Sequence, residues 1–165
     1  ISTAFNEPGA ARVSGVEFNV RYPLRPLGAW GRYFQVFANA TKLRLEGSRD
    51  SNFSGFIPKS ANWGIDFSRK PFNVMLKWNH RGQQRLARVA ALGPDAFEYS
   101  KPRIRLDVNI DYQMRPNLFL YMSGQNVFDV PETLFRYGSQ TPGYARMYQV
   151  LTTGVQLSLG VKGSF

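Results

Sequence analysis

The stretch Leu151-Thr152-Thr153-Gly154-Val155-Gln156-Leu157-Ser158-Leu159-Gly160-Val161-Lys162-Gly163-Ser164-Phe165 alternates over its whole length. Leu151, Thr153, Val155, Leu157, Leu159, Val161, Gly163 and Phe165 form one face, and the residues between them form a polar one. Period-2 alternation is the signature of a β-strand. This run is longer than the usual strand of about 5–6 residues. A strand that crosses a bilayer needs about 9–11 residues, with lipid against one face and water against the other. The pattern predicts one continuous transmembrane strand from Leu151 to Phe165.

Six further segments alternate in the same way. Their apolar faces are Val16–Tyr22, Phe34–Ala40, Ala61–Phe67, Phe72–Trp78, Ile104–Met114 and Leu118–Gly124, taken at every second residue. Within these segments no apolar face carries a Lys, Arg, Asp or Glu, whereas the opposite faces hold Glu17, Arg21, Asp66, Lys77, Arg103, Arg105, Asp107 and Asp111. A soluble sandwich also alternates, so strand length and connections must decide. Ile104 to Met114 covers about 24 Å of height at roughly 3.4 Å per residue and a 45° tilt, close to the apolar band of outer-membrane barrels.

The connections sort by length. Ser68–Pro71 and Arg115–Asn117 read as tight turns, and Tyr22–Arg32 is moderate. Glu46–Ser60, Gly82–Pro102 and Val127–Arg146 are long. Short and long connections alternate along the chain, as they do in barrels with short periplasmic turns and long external loops. Phe67, Phe72, Tyr112 and Phe165 lie on the apolar face near the short turns or the terminus, where a periplasmic aromatic girdle belongs. The expected fold is all-β: an antiparallel transmembrane β-barrel segment of about seven strands.

Composition agrees with that class. Of 165 residues, 15% are aromatic, including 13 Phe and 8 Tyr. A mean hydropathy of −0.32 is no obstacle, because barrels hide apolar surface in alternation. No apolar run reaches the roughly 18 residues of a helical span. Net charge is +10, which raises nucleic acid as a partner. The basic residues are scattered, however, and the longest run is Arg69–Lys70. Zinc-finger spacing and an aromatic RNA-binding consensus are lacking, so no nucleic-acid partner is expected. Cysteine is absent. Ile1-Ser2-Thr3-Ala4 has neither the basic start nor the apolar segment of a signal peptide. Export therefore requires a cleaved leader or a longer parent chain.

Chemistry-bearing residues are sparse. His80 is the only histidine. A metal cluster or histidine-based triad lacks parts, so no catalytic group, metal or cofactor is expected. Asp107 and Asp111 share a face with Arg103 and Arg105, which reads as a salt-bridge ladder on a wet barrel wall. Arg81, Arg85 and Arg88 open a long loop and are candidates to attract an anionic substrate or a lipopolysaccharide phosphate. Among the loop aromatics Phe53, Phe56, Tyr99, Phe135, Tyr137 and Tyr144, we single out Tyr137 and Tyr144 as candidate ligand contacts.

Several stretches carry a family resemblance. Ala11-Arg12-Val13-Ser14-Gly15-Val16-Glu17, Phe37-Ala38-Asn39-Ala40-Thr41, Gln125-Asn126-Val127-Phe128-Asp129 and Leu159-Gly160-Val161-Lys162-Gly163-Ser164-Phe165 occur in that order. Together they resemble the C-terminal part of the barrel of TonB-dependent outer-membrane receptors. The resemblance implies a 22-strand barrel around an N-terminal plug. Residues 1–165 would form its C-terminal part, with the plug and N-terminal strands absent. It also implies energy-coupled uptake of a scarce small-molecule nutrient such as an iron chelate, cobalamin or glycan, in the outer membrane of a Gram-negative-type bacterium. The implied partners are outer-membrane lipid, the barrel assembly machinery and a TonB-type energy transducer that docks on the missing N-terminal segment. Ser158, Gly160 and Phe165 match the terminal assembly signal, while Gly163 stands where the family prefers an apolar residue. Two other readings stay open: a complete barrel of about eight strands with an adhesive or structural role, and a soluble basic β-domain that binds nucleic acid.

Overall fold

The computed structural model describes residues 11–47 and 55–163. Seven strands form one antiparallel sheet in which their spatial order follows their order along the chain. They are β1 (Ala11–Pro23), β2 (Phe34–Gly47), β3 (Lys59–Arg69), β4 (Phe72–Arg81), β7 (Arg103–Arg115), β8 (Leu118–Gln125) and β11 (Gln156–Gly163). Six match the alternating segments of the sequence. Each strand pairs with the next long strand along the chain, so the sheet is a simple meander with all its long connections at one end. The tight turns are Lys70–Pro71 and Pro116–Asn117. Two short 3-10 turns fill the third short connection.

Register brings the apolar positions into rows. One row runs Tyr22-Val36-Ile65-Leu76-Val108-Gly124-Leu157, with one residue from every strand. A β-sheet side chain keeps its face only while the register holds. The pairing of these strands is unbroken apart from one shift between Gln113 and Arg115. Among the described residues nothing covers this apolar face, and the second sheet described below is not stacked on it. Among the described residues the buried hydrophobic side chains are only Ala96, Leu106 and Leu134. Val16 at 73% and Leu159 at 72% remain open. Burial of apolar surface is the main favourable term in folding in water, at about 25 cal/mol per Å². A sheet that leaves its apolar face uncovered is not built as a water-soluble sandwich.

The structure corrects the expectation of one strand over 151–165. Leu151 belongs to another strand, residues 152–155 are not in a strand, and Gly154 has φ 72, a left-handed conformation that favours glycine. Alternation carried through the break because Thr153 and Val155 happen to continue the period. Phe165 and Ser164 lie outside the described residues, as do Ile1–Ala10 and Phe53.

The long connections are also more ordered than the sequence indicated. They contain β5 (Gln84–Arg88), β6 (Phe97–Ser100), β9 (Glu132–Tyr137) and β10 (Met147–Leu151). These form a second antiparallel sheet in the order β10-β9-β6-β5, knitting two long connections together. The strands are short and their pairing is irregular, with register shifts in β5–β6 and β9–β10. Such segments offer little periodicity to read.

The apolar face is charge-free only over part of its height. At the long-connection ends, β1 and β2 invert. Arg12, Lys42, Arg44 and Glu46 continue the apolar face, while Val13, Leu43 and Leu45 point to the polar side. Lys42 stands directly opposite Lys59, and Ala61, on the same face, opposes His80. At the other end aromatics gather. Phe34 packs on Phe67 with ring centroids 5.0 Å apart, Phe72 packs on Tyr112 at 5.0 Å, and Tyr33 meets Phe67 at 6.5 Å. Arg69 lies over the rings of Trp30 and Tyr33, 5.3 and 5.1 Å from their centroids. Of the aromatics expected at this end, Phe67 packs with Phe34 and Tyr33, and Phe72 packs with Tyr112.

Candidate functional site: an arginine pocket on the polar wall

The polar face is also organised in rows. Asn19, Asn39, Asn62 and Asn79 stand side by side on four neighbouring strands, and the row ends on Arg105. The Asn62 amide donates to Asn39 Oδ1 at 2.9 Å. The row beside it runs Glu17-Thr41-Ser60-Arg81-Arg103. The four asparagines each sit unremarked at a polar position of their own segments. Only the register reveals that the asparagines adjoin.

Where these rows reach β4 and β7, a cavity of about 340 Å³ opens. Arg81, Arg103, Arg105, Asn79, Asp107 and Gln156 line it, together with the bend that follows β8 and the break before β11. Arg81 and Arg103 are cross-strand partners, an arrangement of like charges that is unfavourable without counter-charge. Arg103 has one: its Nη1 lies 2.6 Å from Glu132 Oε1. Ser100, which is buried, donates to the same oxygen at 2.9 Å. Burial raises the Glu132 carboxyl. The hydrogen bonds from Arg103 and Ser100, with the charges of Arg103 and Arg81, outweigh that and hold it below the ordinary value of 4.5. Arg81 donates from Nη2 to Gln84 Oε1 at 2.6 Å. The Nε atoms of Arg81 and Arg105 are buried without a hydrogen-bond partner among the described residues.

Asp107 organises the floor. Its Oδ2 accepts from Asn79 Nδ2 at 2.6 Å and its Oδ1 from the Asn126 backbone N–H at 3.1 Å. Lys77 Nζ lies 4.0 Å away. Asn126 is 4% exposed and takes a left-handed conformation, φ 53. Its side chain accepts from the Val130 N–H at 3.0 Å and donates to the carbonyls of Val130 and Gly154 at 3.3 and 3.5 Å. Asparagine suits such a position because it tolerates positive φ and bonds its own loop. One residue of the Gln125–Asp129 motif therefore ties β7 to the chain entering β11.

The expected ladder is rearranged. Arg103 pairs with Glu132, outside the predicted set, and Asp111 pairs with Lys162 Nζ at 2.6 Å. Arg105 and Asp107, two residues apart on one strand, do not share a partner: Asp107 is held by Asn79 and Asn126, whereas Arg105 Nε is without a hydrogen-bond partner among the described residues. The candidates Arg81, Arg85 and Arg88 are also separated. Arg81 ends β4 and enters the pocket, whereas Arg85 and Arg88 belong to β5 of the second sheet. Arg85 lies over the Phe97 ring, 4.6 Å from its centroid. Tyr137, on β9, stacks on Tyr99 at 4.4 Å and accepts from Gln83 Nε2 at 3.2 Å. Tyr144 is 91% exposed, away from the pocket lining. Ser158 and Gly160 lie on β11, where the Tyr121 side chain covers Gly160. Among the described residues no group of three His, Cys, Asp or Glu side chains is placed to hold a metal ion.

No protein-family model matches the chain, and neither does any curated protein. A solved structure, the copper transporter OprC, is similar to it with a TM-score of 0.67 and 22% sequence identity, over 94% of this chain and 24% of that one. The likeness is one of fold. The seven-stranded sheet is an antiparallel β-barrel segment, and the chain spans about a quarter of OprC's length (24%).

Proposed function

We propose that these residues form the C-terminal wall of an outer-membrane barrel, in a TonB-dependent type of receptor that takes up a scarce small-molecule nutrient. One observation carries the reading. The sheet has an uncovered apolar face and a charged, pocketed opposite face, with every long connection at one end. The fold likeness to a transporter and the ordered motif resemblance support it. In this reading the apolar face meets lipid, the polar face meets a water-filled lumen, and the second sheet stands on the cell exterior. The plug, the remaining strands of a 22-strand barrel and the segment that meets the energy transducer belong to the parent receptor outside these residues. Arg88 and Tyr144 meet the incoming ligand on the exterior side. Ser158, Gly160 and Phe165 are read by the barrel assembly machinery. Deleting Phe165 in the full receptor should lower surface yield and leave ligand binding by the inserted molecules unchanged.

These 165 residues contain no cysteine, so labelling of an introduced thiol is read against the same receptor without it. Full-length receptor is placed in vesicles with Asn109→Cys or Leu157→Cys. A membrane-impermeant maleimide should label the first from the aqueous pore and spare the second. A lipid-soluble quencher should affect only a probe at 157. Equal labelling of both positions rejects the membrane orientation.

A further inference from the structure

We infer that the cavity at Arg81, Arg103 and Arg105 is an oxyanion-binding site that receives a small carboxylated or phosphorylated solute. Its access from the outside rests on the membrane reading above. Buried polar groups in native proteins are paired in the large majority of cases, and an unpaired one asks for a ligand, an ion or water. Here two guanidinium Nε atoms are buried and unpaired among the described residues, on neighbouring rows of one wall. The local charges do not balance. Arg81, Arg103, Arg105 and Lys77 face Asp107 and Glu132, so four positive groups meet two negative ones. Glu132 is already engaged by Arg103 and Ser100, and Asp107 by Asn79 and Asn126. Arg105 Nε has no hydrogen-bond partner among the described residues. A fork of donors in fixed geometry fits carboxylate or phosphate oxygens better than a hydrated halide. The cavity, about 340 Å³, lies in the lower range of small-molecule sites. The asparagine row that ends on Arg105 supplies neutral donors and acceptors beside the charged centre.

Site and scaffold are tested separately through Arg105, whose Nε makes no hydrogen bond among the described residues. Full-length receptor, purified in detergent, is titrated with citrate and with inorganic phosphate by calorimetry. Thermal melting is followed with and without each anion. Wild type should bind at least one of the two saturably and melt higher in its presence. Arg105→Gln should weaken that binding at least tenfold without lowering the melting temperature of the anion-free receptor. Arg81→Gln/Arg105→Gln should abolish it. Binding by citrate alone assigns the site to carboxylates, and binding by phosphate alone assigns it to phosphorylated solutes. Absence of saturable binding of either anion, or equal affinity in the wild type and the double variant, overturns the proposal. A fall in melting temperature for Arg105→Gln with binding intact does so too. The thiol-labelling pattern is read on the same preparation, so a failed membrane orientation is seen separately from a failed anion site.

Discussion

Val108→Arg tests the two-faced wall most directly. Val108 is on β7, five residues from Arg103 and seven from Arg115, near the middle of the strand. It sits between Leu76 and Gly124 in the row that crosses all seven strands. An arginine there is surrounded by apolar neighbours, and the facing glycine offers it no polar partner. For an outward position at the bilayer midplane the cost is about 2–4 kcal/mol, or roughly a 30- to 700-fold shift in the folding equilibrium at about 1.4 kcal/mol per tenfold. Asn109→Arg is the matched control. Asn109 accepts a hydrogen bond from Ser123 Oγ at 2.7 Å, whose loss costs about 1 kcal/mol. Asp107 and Asp111 on the same face favour the new charge. The assay is reversible denaturant titration of the full-length receptor into lipid vesicles. The Val108 variant should be the less stable by about 1–3 kcal/mol once the control is subtracted. Equal penalties, or a larger one at Asn109, would refute the assignment of faces.

Other consequences follow from single contacts. Asn126→Ala removes three loop hydrogen bonds around a buried side chain and should destabilise the chain entering β11 by about 2–3 kcal/mol, read as faster amide exchange at Val130. Gly160→Ala should cost about 1–3 kcal/mol by overpacking, because a Cβ there meets the Tyr121 ring at 2.6 Å. The penalty should shrink in a Tyr121→Ala background, and a double-mutant cycle without coupling would assign the glycine to the assembly signal alone. The Glu132 carboxyl sits below its ordinary 4.5 when folded. Its contribution to the second sheet is therefore complete above 4.5 and fades as pH falls through the lower folded value. Melting of wild type from neutral pH down past 4.5 should show that loss, and Glu132→Gln should not.

The main sheet was legible because its determinants are local. Alternation marks strands, and Pro, Gly and Asn mark turns. Six segments were therefore located to within a few residues, with β1 and β2 extending further than their apolar stripes because their polarity inverts beyond Val16 and Ala40. The break at Gly154 was hidden because a residue with left-handed φ left the alternation of its neighbours undisturbed. The candidate site was legible only in part. Arg81 stood out as a charge beside a loop, but Arg103 and Arg105 read as members of a ladder with Asp107 and Asp111. Arg103 instead meets Glu132, brought in by a strand with no usable period. Asn126 and the asparagine row depend on register between segments, which no single segment encodes.

In the membrane placement proposed above, the facing lysines at 42 and 59 fix how much lipid this wall tolerates. On β2 the apolar stripe ends six residues from Phe34, at Ala40, and on β3 it spans Ala61–Phe67. On β7 it runs ten residues, from Ile104 to Met114. At roughly 3.4 Å per residue and a 45° tilt these correspond to about 14 and 24 Å of hydrocarbon. A membrane surrounding this wall meets a ledge. Lysine stems at 42 and 59 fill part of the shortfall and lift their ammonium groups to the headgroups. The rest is taken up by thinning of the bilayer beside β2 and β3, at a cost of fractions of a kcal/mol per Å. In that placement, such a gradient in hydrophobic thickness would give the barrel a preferred azimuth toward thinner membrane, so that lateral neighbours would be sorted by which side of it they approach.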